Sequence, residues 1–515
     1  MHLTKETNRT IFIIIALYCA YCLMFILNTS NVMEGQRYYN LLDDAMISMR
    51  YASNLADGYG PYYNIQNERV EGYTNPLWVG LMSVVHFIHN DKTTAPLIVQ
   101  LIGLILLIVN LLYVSKLASL LSSCKKEVII LSVILTAFFH PVNVWSLGGM
   151  EVSAIICIIT ASVYYLYKSS KEQKLYYQII WLPALATMFR PDSIILLIFF
   201  YFFGTWKLKG VRKEKFEKLF AIILFMLVFV NIAYRLYFFD EFFPNTYFLK
   251  MTGYPLLERI FTGLKSTLSI MLFVILPQLI FLVWYFLKFK PSKYKYIIAL
   301  LITIAIYNIY IGGDAGDWWG GTNRFISSVM PLFFVMFSDA LIMTLQASKI
   351  KYIKSTNSYL TIFAISTVII FQLNSFGFTN SIKEFLLMKQ PIFMADAEFL
   401  TRLALAVQKT VPKQASVAVV TAGTLPYHLK NPIIDLLGKN DKIIGKMNSR
   451  ISGIGLRRYL EYNPGHNKWD YSYSIGHLKP DVVAQLWSHH DEALPYLSRY
   501  YNLVKVDGIF FFIKK

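Results

Sequence analysis

Thr10-Ile-Phe-Ile-Ile-Ile-Ala-Leu-Tyr-Cys-Ala-Tyr-Cys-Leu-Met-Phe-Ile-Leu27 is an unbroken apolar run that follows a short basic start at Lys5 and Arg9. A helix of about 20 apolar residues crosses the hydrocarbon core of a bilayer, so this stretch reads as a membrane span. No small-residue cleavage site follows it, and it is expected to remain as a signal anchor. Ten more stretches read the same way: 95–120, 127–145, 151–167, 176–190, 192–206, 218–239, 267–288, 295–312, 325–346 and 357–375. Segment 76–89 is shorter and is expected to lie in the interface. The composition agrees. Of 515 residues, 56% are hydrophobic and only 16% charged, against about 25% in an average soluble domain. Aromatic residues alone make up 16% of the chain, which excludes disorder.

The basic residues orient this layout. With the N-terminus in the cytoplasm, stretches 1–9, 121–127, 168–175, 207–218, 288–295 and 347–356 hold 20 Lys or Arg and five acids. The loop 28–94 has seven acids against four basic residues. Eleven spans therefore satisfy the positive-inside rule and place residues 376–515 outside. The net charge of +18, which by itself would point to nucleic acid, is mostly this orientation signal. No nucleic-acid partner is expected. Arg190-Pro191-Asp192 joins two short spans, and the proline makes a tight outward hairpin there. No inverted repeat of the transporter kind is visible. The four cysteines lie in or beside apolar runs and form no disulfide framework.

The C-terminal region reads as mixed α/β, with strands at 415–421 and 481–486 and a hairpin over 503–513 turning at Asp507-Gly508. Thr421-Ala-Gly-Thr424 follows a strand but lacks the glycine spacing of a dinucleotide fingerprint, so a structural turn is expected. No nucleotide-sugar site is expected. The domain division is 1–375 for the membrane module and 376–515 for the extracytoplasmic α/β domain.

The chemistry-bearing residues gather outside. In the first loop, Asp43, Arg50, Asn54 and Asp57 share one face of a helix whose other stripe is Leu42, Ala45, Met49, Ala52 and Ala56. Asn40 is the expected N-cap. Asp43 and Arg50 then lie two turns apart, roughly 10 Å along the axis, a gap suited to an acceptor hydroxyl and a phosphate. Adjacent carboxylates beside an apolar surface are expensive and read as functional. Tyr73, Asn75, Glu151, Asp192, Asn245 and Asp314 stand at outward ends as candidate substrate-binding groups. Arg190, Arg324, Arg50 and Lys250, in that order, are the candidate phosphate-binding cations. Asp314-x-x-Asp317 matches no specific metal motif, and the sequence leaves a divalent metal undecided.

Asp43-Asp44-Ala-Met-Ile-Ser-Met-Arg50-Tyr-Ala-Ser-Asn54-Leu-Ala-Asp-Gly58, with Tyr63-Asn64 and Glu68-Arg-Val-Glu-Gly-Tyr-Thr-Asn-Pro-Leu-Trp78, resembles the signature of a bacterial glycosyltransferase family. That family includes the terminal β-(1→2)-arabinofuranosyltransferase of mycobacterial cell-wall assembly and belongs to the GT-C class of polyprenyl-phosphate-dependent enzymes. The resemblance continues through Gly149-Met150-Glu151, Arg190-Pro191-Asp192, Phe243-Pro244-Asn245-Thr246-Tyr247 with Lys250, Gly312-Gly313-Asp314 and Arg324-Phe325. It reaches the exposed region at Ile434-Asp435-Leu436-Leu437-Gly438 and at Pro464-Gly465-His466, Lys468 and Asp470.

The resemblance implies a polytopic α-helical membrane protein of GT-C type, with a soluble outward C-terminal domain. It implies a polyprenyl-phosphate-linked sugar as co-substrate and Asp43 or Asp44 as the catalytic carboxylate. The expected activity is transfer of a sugar, arabinofuranose by the resemblance, to an extracytoplasmic glycan, glycolipid or surface protein in cell-envelope biogenesis. The expected location is a bacterial cytoplasmic (inner) membrane, with the C-terminal domain in the periplasm. His466 and Lys468 are candidates to reach the site from that domain. Two other readings stand beside it: a lipid-linked sugar flippase, and a non-catalytic assembly protein. The topology is testable directly. Reporter fusions after residue 350 and after residue 380 are expected to report opposite sides of the membrane, and the same side for both would overturn the layout.

Overall fold

The computed structural model describes residues 4–65, 68–123, 125–205, 210–314, 323–347, 381–451, 453 and 456–515. The apolar runs form helices, as their composition requires when no water is available to the backbone. They are α1 (Lys5–Asn28), α4 (Ala95–Ser122), α7 (Val152–Glu172), α10 (Gly210–Phe239) and α14 (Lys295–Ile311), all long and apolar enough to cross a bilayer. Between them lie α2 (Asp43–Ala56), α3 (Pro76–Ile88), α5 (Lys126–Ala137), α6 (His140–Leu147), α8 (Gln178–Phe189), α9 (Ile194–Thr205), α11 (Asn245–Met251), α12 (Leu256–Phe273) and α13 (Leu276–Phe289). After α14 come α15 (Arg324–Ser327) and α16 (Met330–Ala347). The short helices α8 and α9 meet at Pro191, as expected.

The expected span 325–346 is divided between α15 and α16, and two others are sharply bent. The stretch 127–145 is broken between α5 and α6 with a bend of 52°, where Pro141 follows Phe138 and Phe139. The stretch 267–288 contains a bend of 86° between α12 and α13, with Pro277 in the first turn of α13. Hydropathy averages over a window and does not register a turn whose residues are themselves apolar. Proline removes the amide that would continue the ladder and breaks the helix there. The expected span 357–375 and the division at 375 lie outside the described residues.

The C-terminal region carries α17 (Ser381–Phe385), α18 (Ala397–Thr410), α19 (Thr424–His428) and α20 (Lys442–Lys446) against a five-stranded sheet of order β4-β3-β5-β7-β6. The strands are β3 (Val417–Val419), β4 (Ile433–Asp435), β5 (Val482–Val483), β6 (Tyr501–Val506) and β7 (Ile509–Lys514), and a small hairpin in the first loop pairs β1 (Asn31–Met33) with β2 (Gln36–Tyr38). In the sheet, β3 is parallel to β4 and β5, while β7 is antiparallel to β5 and β6. The hairpin turns at Asp507-Gly508, both at positive φ. β4 was not among the expected strands. Three residues between a proline and a glycine are too short to show alternation.

The sheet domain is packed onto the first loop. Val417, Val419, Leu425 and Tyr427 share one buried core with Met46, Met49 and Tyr51 of α2. As a result α2 is buried on all sides from Ala45 to Ser53, and of its expected polar face Arg50 is buried, Asp43 and Asn54 are half-buried and Asp57 is exposed. The helix begins at Asp43 with Leu42 as its N-cap, not Asn40, whose side chain instead donates to the Thr29 carbonyl at 3.1 Å.

Arg50 holds the two parts together. Its Nε donates to the Tyr63 carbonyl at 2.8 Å, and Nη1 donates to the carbonyls of Pro426 and Leu429. Nη2 donates to Asn64 Oδ1 and to the Asn431 carbonyl, and the guanidinium stacks over Tyr63. All five N–H groups are engaged, three of them with the C-terminal domain, so this arginine is saturated. Its expected role at a donor phosphate does not survive. Arg50→Lys keeps the charge but has only three donors, leaving at least two buried acceptors bare. The substitution is expected to cost about 2–5 kcal/mol, read as a lower Tm of the full chain in detergent; an unchanged Tm contradicts the clamp.

Candidate active site

A cavity of about 450 Å³ is lined by residues of α8, α10, α11 and α14 and of the segments that follow them. Its polar wall carries Arg190, Asp192, Arg235, Lys250, Asp314 and Arg324. Its opposite wall is apolar. Val228, Ile232, Phe242 and Phe243 line the cavity and also belong to the exposed apolar surface of the protein, so that surface runs up to the cavity.

The two adjacent acids have different partners. Asp43 faces the C-terminal domain, where its Oδ1 accepts from the Thr424 amide at 2.8 Å. Gly423 packs so closely that an added Cβ would lie 1.9 Å from the Asp43 carbonyl oxygen, which restricts this position to glycine. The Thr421–Thr424 segment is thus a structural turn, as expected, and it cradles a carboxylate of the same chain. Burial, with Asp44 beside it, pushes the Asp43 carboxyl up to about 6, against the pull of the Thr424 amide.

Asp44 is half-buried and lies among cations. The Lys439 ammonium donates to Oδ1, and Arg324 Nη1 lies 3.5 Å from Oδ2. Burial raises its pKa, but Lys439 first, then Arg324 and Lys250, hold the carboxyl well below the usual range. Arg324 is itself fixed by Asp314 at 3.0 Å and by the rings of Trp145 and Phe325. Asn323 caps the turn that presents it. Lys250 has no carboxylate within 4.0 Å among the described residues, and burial, with Arg324 and Lys439 nearby, pushes its amine down to about 8. Asp44 and Asp314 therefore face three cations, while Arg190 beside them faces two carboxylates, Glu151 and Asp192, so the charges of the two clusters balance.

The remaining expected residues divide by position. Asp192 lines the cavity, where it receives Arg190 through Nε at 3.0 Å and Nη2 at 2.8 Å and accepts from the Tyr307 hydroxyl at 2.7 Å. Arg190 Nη1 also binds Glu151 at 2.7 Å, and the other Glu151 oxygen accepts from Asn75 Nδ2 at 2.8 Å. Asn75 Oδ1 in turn accepts from Ser48 at 3.0 Å. Arg190 is thus held by two carboxylates, as Arg324 is by Asp314 and Asp44, so of the expected phosphate cations on the cavity wall Lys250 alone has no carboxylate within 4.0 Å among the described residues. Glu151 and Asn75 are buried links in this chain and do not line the cavity.

Tyr73, Asn245 and Lys468 are likewise structural in their contacts. Tyr73 is buried against Tyr51, with its hydroxyl on Tyr234. Asn245 Nδ2 donates to the carbonyls of Gly438, Lys439 and Asp441. Lys468 is buried, donates to the Phe248 and Gly445 carbonyls at 2.9 Å each, and is pushed down to about 8 by that burial. The Asn245 amide nitrogen and the Lys468 ammonium are engaged by backbone carbonyls and the Tyr73 hydroxyl by a second tyrosine, and none of the three lines the cavity. His466 is closer to the chemistry. Its Nδ1 donates to the Pro464 carbonyl at 3.1 Å, its ring lies 5.6 Å from Trp487, and burial, with Lys250 nearby, lowers its pKa.

Lys439 and Arg235 were not among the candidates. Lys439 directly follows the Ile434–Gly438 segment, and nothing in a lone exposed-looking lysine marks a partner 395 positions away. Arg235 lines the cavity and pairs with buried Glu71 at 2.8 Å, but it lies inside an apolar helix pattern. Among the described residues, no three His, Cys, Asp or Glu side chains converge as a metal shell.

Solved structures share this architecture. The archaeal oligosaccharyltransferase AglB from Archaeoglobus fulgidus, in complex with an inhibitory peptide and a dolichol-phosphate, matches with a TM-score of 0.51 at 9% identity, over 99% of this chain and 75% of its own. ArnT from Cupriavidus metallidurans, bound to undecaprenyl phosphate, matches with a TM-score of 0.50 at 11% identity, over 97% of both chains. The fold is that of GT-C membrane glycosyltransferases. This chain is therefore a multi-pass helical membrane protein of GT-C type with a C-terminal α/β region. A family model described as a domain of unknown function (DUF8728) matches residues 392–505. No curated protein matches in sequence.

The raised Asp43 pKa has a measurable sign. Its folded-state value of about 6 lies above the unfolded value near ~3.9, so the ionised carboxylate destabilises the fold as pH rises between them. Asp43→Asn keeps an acceptor for the Thr424 amide. It is expected to raise the Tm above pH 6, by up to about 3 kcal/mol of stability, with the gain vanishing below about pH 4. A Tm difference independent of pH would refute the assignment.

Proposed function

We propose that this chain is a membrane glycosyltransferase that moves a sugar from a polyprenyl-phosphate donor to an extracytoplasmic glycan or glycoconjugate, with arabinofuranose the leading donor sugar. Its place is the inner membrane of a bacterium, N-terminus in the cytoplasm and C-terminal domain in the periplasm. Residues 1–375 form the catalytic module and 376–515 the periplasmic domain.

The reading is supported by one observation: an ionised carboxylate, Asp44, lies against Arg324, a cation of the cavity wall, and the cavity's apolar lining is continuous with the exposed apolar surface. An isoprenoid chain can enter along Val228, Ile232 and Phe243 and bring its phosphate to Lys250 and Arg324. The polyprenyl phosphates named with AglB and ArnT support the same class of donor. In the transfer, the bond from the anomeric carbon to the phosphate oxygen breaks, its electron pair leaves with the phosphate, and the acceptor oxygen bonds to the carbon. The acceptor's proton leaves with the phosphate monoester. The cations stabilise the charge that develops on the leaving group.

A carboxylate with so low a pKa is a weak general base, since an effective base titrates near the working pH. It is suited to face the positive charge of an oxocarbenium-like carbon, or to attack it as a nucleophile. Asp44 takes that role, and Asp43 holds the turn of the periplasmic domain. The acceptor is a glycan, glycolipid or surface protein.

Purified protein with a lipid-linked sugar donor and a panel of acceptors tests the reading. Asp44→Asn is expected to lower transfer by at least about 10³-fold with membrane expression intact, and wild-type activity in that variant would sink the assignment. Donor translocated across liposomes with no glycoside formed would favour a flippase. Binding of undecaprenyl phosphate is expected to weaken as pH rises through about 8, where Lys250 loses its charge, and in Lys250→Met that pH dependence should disappear.

A further inference from the structure

The two loops that meet Asp43 and Asp44 share an origin. β3 and β4 are parallel, and the Gly423-Thr424 turn and the Lys439 loop leave their carboxyl ends. In open α/β sheets that end of the strands is where ligands bind, because the loops there are free to converge. Here the first turn of α2 occupies it.

The Lys439 loop is fixed from both sides. Within the domain, the Asp435 carboxylate accepts from the Leu437 amide at 3.0 Å, the Asn440 amide at 2.8 Å and Asn440 Nδ2 at 3.0 Å. Gly438 supplies the turn at φ +76°. From the membrane module, Asn245 Nδ2 binds the carbonyls of Gly438, Lys439 and Asp441, and the Tyr51 hydroxyl lies 2.9 Å from Asn440 Oδ1. These restraints fix the backbone beside Lys439, and its ammonium reaches Asp44 from there.

We infer that the C-terminal α/β domain is one half of the catalytic centre, with Lys439 the positioning residue that orients the Asp44 carboxylate at the cavity. The inference rests on the transferase reading above and gives the domain a task within it. Asp44 is faced by Asp43 on its own helix, Arg324 on α15, Lys250 on α11 and Lys439 on the β4 loop. Asp314 lies across Arg324, and His466 lies on the loop beyond Lys250. Without Lys439, the Asp44 carboxylate is left with Arg324, which it shares with Asp314, and with Lys250.

The test uses the full chain in lipid nanodiscs. K439M is expected to lower kcat about 10²-fold with KM for the lipid donor little changed, and to move the acid limb of the kcat profile to higher pH. K439R should restore most of the rate. A K439M enzyme with wild-type kcat and an unshifted acid limb overturns the inference. A second measurement needs no turnover: Tm values of wild type, K439M, D44N and the double variant. The double variant is expected to lose less than the two single losses combined, because the partners act as a pair, and additive losses overturn the inference. If the wild type transfers no sugar, the transferase reading fails, and the melting cycle alone decides whether the domain positions Asp44.

Discussion

A buried guanidinium without a carboxylate partner is the constraint around which the outward face is built. Arg50 has no acid within 4.0 Å among the described residues, and its charge is balanced by carbonyl and amide dipoles from two parts of the chain. An isolated buried charge is costly unless every donor is satisfied. Three of the acceptors exist only when the strands and turns of the C-terminal region are folded and seated on α2. Folding of the first loop and docking of the sheet domain are thereby one event. The same docking buries the acidic turn of α2 and sets the environments of Asp43 and Asp44.

The outward face then separates into a scaffold and a reactive centre by how its charges are compensated. Glu151, Arg190 and Asp192, with Asn75, Ser48 and Tyr307, form a continuous chain of hydrogen bonds linking α2, α3, α7, α8 and α14. Most of its hydrogen-bonding capacity is internal, which suits a frame for the cavity. Around Asp44 the compensation is uneven: Arg324 is shared by Asp44 and Asp314, whereas Lys250 has no carboxylate within 4.0 Å among the described residues. An ammonium without a carboxylate on a cavity wall is suited to an anionic group.

The membrane architecture was legible because hydropathy and lysine placement are local or additive signals. α1, α4, α7, α10 and α14 lie where their apolar runs place them, and the hairpin at Asp507-Gly508 announces itself by its turn residues. The sharp bends at 138–139 and 274–275 were not, since an apolar break is invisible to a hydropathy window. In the site, the first-loop acids, Arg324, Lys250 and Asp314 stood out as charges beside apolar text. Arg50, Asn245 and Lys468 stood out for the same reason, although all three are bound to carbonyls of distant segments. Sequence shows that a polar group is costly in its surroundings; it does not show whether a backbone or a substrate satisfies it.

The sequence by itself determined that this chain is a multi-pass helical protein with an acidic first loop and a separate α/β region. Those features follow from what each segment must do with its own apolar surface. Only the tertiary structure decided which of two neighbouring aspartates meets Arg324 of the cavity wall, and that Lys439 lies against it. Neighbours on a helix point about 100° apart, so Asp43 meets the amides of Gly423 and Thr424 while Asp44 meets Lys439 and Arg324. These partners lie hundreds of residues away and become neighbours only when the domain docks.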